Sequence, residues 1–223
     1  MAEGLISING DSIQTLEILF LTTMITLLPS LVVMMTSFAR YIISFSFLRT
    51  AIGTQQTPPN IVLIGLALIL TFITMGPVLD EIQTEAYEPY AAELIDQEEF
   101  LERASVPLKR FMLNETEPGT LQMFCDLTKT AYPETDEEAM ALPMRIVIPS
   151  FMTCELKQAF IIGFCLYLPF MLIDIVVSCT LMSMGMVMLP PSMISMPFKL
   201  LLFISVDGWE LLFSTLIRSF NAG

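Results

Sequence analysis

The chain has 223 residues, 54% of them hydrophobic and 15% charged, with a mean hydropathy of +0.70; an ordinary soluble domain is roughly 45–50% apolar and about 25% charged. Its net charge of −13 excludes the basic footprint that nucleic-acid binding requires. The absence of histidine excludes Ser-His-Asp, Cys-His and His-Glu-x-x-His chemistry, and no glycine-rich phosphate loop is present, so the reading is a non-enzymatic membrane-type protein with no cofactor.

Residues 1–16 carry Glu3 and Asp11 but no basic side chain, so the charged start of a secretory signal is missing. The first apolar stretch covers 13–35, and 18–39 hold no charge. The second, 61–79, is 19 uncharged residues; as a helix it spans roughly 28 Å, close to the hydrocarbon thickness of a bilayer. Between them lie Arg40 and Arg49, with no acidic residue from 18 to 79. The positive-inside rule places that connection in the cytoplasm, and the following segment and both termini outside.

Residues 80–143 hold 16 acidic and 4 basic side chains, a net −12. This segment reads as a water-facing insert of short helices (93–101 and 120–129), punctuated by Pro89, Pro107, Pro118, Pro133 and Pro143. The third apolar stretch, 158–189, is interrupted by Asp174, and the fourth, 193–217, by Lys199, Asp207 and Glu210. Leucine-rich stretches of this length predict helices, kinked where Pro29, Pro77, Pro169 and Pro197 fall. The fold expected is all-α, in three parts: 1–79, the acidic insert 80–143, and 144–223. Cys125, Cys154, Cys165 and Cys179 have no metal-knuckle or redox spacing and read as buried small hydrophobes.

Two local features stand out. Gly53, Gln55, Gln56, Pro58, Pro59 and Asn60 form a polar, proline-stopped turn. Met182, Met184, Met186, Met188, Met193 and Met196 place six of the 17 methionines within 15 residues, next to Pro190 and Pro191. From spacing alone such methionines pack between helices; being unbranched and polarizable, they also suit a seal that yields to different contents. Glu155 and Lys199 are ionisable groups in apolar surroundings, read either as solvated helix ends or as a pair between adjacent copies that sets register. Asp174 and Asp207 are similar, with Arg145 and Lys157 as candidate partners, and Trp209 reads as a packing residue.

The run from Met35 to Asn60 closely resembles the signature of the FliP family of flagellar and type III secretion export-gate subunits. Further blocks agree: Glu155-Leu-Lys-Gln-Ala-Phe-Ile-Ile-Gly-Phe164, Leu168-Pro-Phe170 with Asp174, Met182-Ser-Met-Gly-Met-Val-Met-Leu-Pro-Pro191, Pro197-Phe-Lys-Leu200 and Asp207-Gly-Trp209. The resemblance implies kinked helices and helical hairpins assembling into a ring of about five copies, completed by FliQ and FliR, with FlhB as a further partner. Such a ring passes unfolded flagellar polypeptides out of the cytoplasm. It also implies a bacterial inner-membrane and basal-body location, with part of the assembly above the bilayer. A methionine gasket is carried onto Met186 and Met188, with Val187 where relatives have a third methionine. An ion or solute channel with Asp174, Glu155 and Lys199 on its path is the alternative function, and a scaffold lining no pore is a third.

Overall fold

A computed structural model of the chain describes residues 6–8, 11–13, 19, 22–23, 26–27, 29–30, 33–54, 56–186 and 188–220. Most of the first apolar stretch, together with Gln55 and Val187, lies outside the described residues. The body is all-helical, as composition and periodicity predict. A three-residue antiparallel ladder, β1 (Ile6–Ile8) with β2 (Asp11–Ile13), was not expected; in it Ile6 pairs with Ile13.

Helix α1 (Phe38–Ile52) begins inside what reads from sequence as a loop between two spans. It buries Tyr41, Ser44, Phe45, Leu48, Ala51 and Ile52 at helical spacing, and Arg40 with them. Gly53 ends it at φ 89°, a left-handed conformation that glycine adopts without a Cβ penalty. Helix α2 (Asn60–Ile82) starts after Pro59 and passes through Pro77 into a π-turn (Gln83–Tyr87) and the short α3 (Glu88–Ala91).

The insert continues as α4 (Gln97–Asn114), α5 (Pro118–Thr128) and α6 (Asp136–Ala141). Asp96 caps α4 by accepting from the Glu99 amide at 2.8 Å, with Glu98 and Glu99 in its first turn. Helix α4 is longer than expected because it carries Pro107 within it. Thr135 caps α6 from the Glu138 amide, while the Glu138 carboxylate reaches back to the Glu134 amide.

Helix α7 (Met144–Ser183) runs 40 residues, about 60 Å at 1.5 Å per residue. That is twice a bilayer's hydrocarbon thickness. Its first turns enter the insert's own core of Met112, Leu121, Cys125, Leu142, Ile146, Val147 and Phe151, so the helix runs on from the insert without a linker. The second core joins α1, α2 and the middle of α7 to α8 (Pro191–Ser205) and α9 (Gly208–Arg218). The close approach of α1 to α7 depends on Gly163: a Cβ there would lie 2.4 Å from the Phe47 ring. Among the described residues, two helices are long and apolar enough to cross a membrane, 60–91 and 144–183; α8 and α9 meet at a 64° bend.

Cys125 and Cys154 are buried, and burial pushes the Cys125 thiol up. Cys165 and Cys179 are exposed, contrary to expectation. The reason is that α7 is apolar all round, so burial cannot be read from residue type on it.

Candidate functional site

The methionine loop is the turn of a helical hairpin made by α7 and α8. Helix α7 closes in a Schellman arrangement: the Gly185 amide donates to Met182 O (3.1 Å) and the Met186 amide to Leu181 O (3.0 Å), with Gly185 at φ 73°. Pro191 opens α8 at its first position, where a missing N–H costs nothing. The turn thus needs glycine on one side and proline on the other. Met182, Met184, Met186, Met188 and Met193 all face outward, and Met188 is 99% exposed. Apolar side chains held out this fully mark a surface meant for something other than water.

Behind the loop a polar clamp fixes the hairpin. Ser195 Oγ donates to Asp174 Oδ1 and Lys199 Nζ to Asp174 Oδ2, each at 2.6 Å. The Lys199 ammonium also donates to Ala51 O at 3.0 Å, at the carbonyl-rich end of α1. One buried cation therefore joins the methionine hairpin to the helix that leads into the Gly53 turn. Arg49, Thr50, Gly53 and Thr54 face Ser192, Met193 and Met196 across an open cleft. In the turn itself Gln56, Pro59 and Asn60 are exposed, Pro58 is half-buried, and Arg49 holds the Asn60 side-chain oxygen.

Neither Glu155 nor Lys199 is a solvated helix end: both are buried, Glu155 at 0% exposure, and each finds partners within the chain. Arg40 Nε donates to Glu155 Oε2 at 2.8 Å while Nη2 takes Oε1, a two-pronged pairing. The same guanidinium reaches Glu115 Oε2 (2.9 Å), Ser219 O (3.2 Å) and Ser219 Oγ (3.0 Å), and lies 3.5 Å over the Phe220 ring. Arg40 is thus no loop charge, and only Arg49 is left of the two arginines behind the orientation.

Asp174 is paired with Lys199 rather than with Arg145 or Lys157; Lys157 takes Glu117. Asp207 is a backbone device: at φ 48° it turns the chain between α8 and α9, and its carbonyl accepts from the Leu211 amide at 3.1 Å. Gly208 follows because a Cβ there would strike the Phe203 ring at 2.3 Å. Trp209 packs edge-on to Phe203.

Ser195, Glu115, Ser219 and the inward role of Arg40 escaped the sequence reading. Arg40 carried a signal: Ser44 follows at i+4 on a face that continues with Leu48 and Ile52.

Kinked apolar helices, an α7–α8 hairpin tipped with outward methionines and buried ion clusters define a helical membrane-type protein with much apolar surface left uncovered. Comparison with known proteins narrows this. The FliP family model matches residues 21–216. The chain is 45% identical over 213 residues to the flagellar biosynthetic protein FliP of Aquifex aeolicus, covering 96% of this chain and 89% of that protein. It is 45% identical over 207 residues to the Bacillus subtilis protein of the same name, covering 93% and 92%. Against the Buchnera aphidicola counterpart (strain APS) it is 47% identical over 210 residues, 94% of this chain but 54% of that longer protein. The chain belongs to the FliP family.

Proposed function

We propose that the chain is a core subunit of the flagellar type III protein export gate. Several copies, with FliQ, FliR and FlhB, surround a channel through which unfolded flagellar polypeptides leave the cytoplasm. The gate sits in the bacterial inner membrane at the flagellar basal body. The observation that carries this reading is the methionine hairpin: apolar, facing outward, and held by a glycine turn, two prolines and the Asp174–Ser195–Lys199 clamp.

In a ring, such loops converge. Methionine side chains repack at little cost, so a ring of them closes on itself when empty and parts around a passing chain. The exposed apolar faces of α7 (Phe160, Phe164, Leu172, Ile175) and α8 (Phe198, Leu201, Ile204) are then covered by other subunits or by lipid.

The test is a crosslink. With Cys165 and Cys179, the exposed thiols, changed to alanine, Met186→Cys and Met188→Cys are oxidised in cells making flagella. Bonding the loops to one another stops export if they ring the path, and reduction restores it. Unimpeded export through fully crosslinked loops overturns the reading.

A further inference from the structure

We propose that Arg40, Glu115 and Glu155 form a binding site for one exchangeable proton, shared by the two carboxylates, and that its release frees the turn between α4 and α5 from the helical body. Arg40 Nη2 is shared by Glu115 Oε2 and Glu155 Oε1, so both carboxylates meet at a single nitrogen. Their side chains are 14% and 0% exposed. One cation faces two acids, and fully ionised the cluster carries an uncompensated negative charge away from water. Among the described residues no second cation pairs with either acid. Two carboxylates so placed retain a proton between them, and it belongs to the pair rather than to either residue.

The surroundings supply no other neutralising charge. From α1 comes the Tyr41 phenol, engaged with Thr74 of α2; after α9 come the Ser219 hydroxyl and carbonyl and the Phe220 ring. The neighbouring ion pair, Lys157 with Glu117, is exposed and complete in itself. Burial also raises the Glu115 carboxyl above its ordinary range, outweighing the pull of Arg40. Glu115 is the route in and out, because it alone of the two acids touches solvent. It sits in the turn that the Glu117 amide holds on α7 through Cys154 Sγ (3.3 Å). When the proton leaves, the net charge drives Glu115 towards water and the turn with it.

The test uses the full chain in detergent micelles with isotope-labelled glutamate and infrared detection of the protonated carboxyl stretch. At neutral pH the wild type shows a protonated glutamate. Glu115→Gln and Glu155→Gln each abolish it, because the acid left behind has the guanidinium to itself and no second carboxylate to repel its charge; Glu117→Gln keeps it. A wild type with no protonated glutamate overturns the proposal, as does a band that survives in Glu115→Gln. Amide exchange at Thr116 and Glu117, corrected for intrinsic rates, checks the release. It rises with pH in the wild type and stays flat in Glu115→Gln; equal profiles in the two proteins overturn that part.

Discussion

Lys199 of α8 meets Asp174 of α7 at 2.6 Å, and the same ammonium holds the last turn of α1 through Ala51 O at 3.0 Å. This contact ties the methionine hairpin to the Gly53 turn. It also explains how an ammonium that is nearly sealed from water stays in place: carboxylate, carbonyl and helix end all present negative charge to it.

Asp174→Asn leaves that ammonium facing only neutral oxygens. Asp174 is partly exposed, so the expected loss is about 1–3 kcal/mol. Combining it with Lys199→Met removes the stranded charge, and the double variant is more stable than the two single losses added together. Thermal unfolding in one detergent across the four proteins measures this; strict additivity contradicts the pairing.

Arg40→Gln strands Glu155 wholly inside the protein and costs roughly 3–5 kcal/mol, the range for breaking a buried pair. Arg40→Lys restores the charge but not the two-pronged geometry, and recovers only part. Glu155→Gln is milder than Arg40→Gln, because Arg40 keeps Glu115 and Ser219. The order of unfolding midpoints checks all three.

Gly163→Ala sets a methyl against the Phe47 ring and pushes α1 off α7. The expected loss is about 1–3 kcal/mol, and Phe47→Leu in the same chain relieves part of it. A Gly163→Ala protein as stable as the wild type contradicts the packing.

Much of the architecture is legible in the residues themselves. Uncharged length gives α2, the Pro-Pro stop gives its start, and the glycine and prolines around the methionines give the hairpin. Helix α7 is only partly so: the apolar run gives it from 158 onward, but its first turns carry Arg145, Glu155 and Lys157 and do not read as part of the same helix. The site was half legible. Glu155, Lys199, Asp174 and Asp207 stand out as charges in apolar runs, but which charge meets which depends on the fold. Arg40 and Glu155 lie 115 residues apart, and no periodicity links them.

Met186→Ala with Met188→Ala separates stability from gating. Both side chains are exposed, so the unfolding free energy of the chain shifts by no more than about 0.5 kcal/mol. In vesicles holding the assembled gate, the same variant raises ion leakage. Unchanged leakage contradicts a sealing role.

Whether this chain works as one of several copies with partner proteins is read from the native mass of the complex. Co-expressed with FliQ and FliR from the same organism and extracted in mild detergent, it runs as one discrete particle holding several copies plus both partners. A monomer or simple dimer, reproducible across mild detergents, contradicts the account.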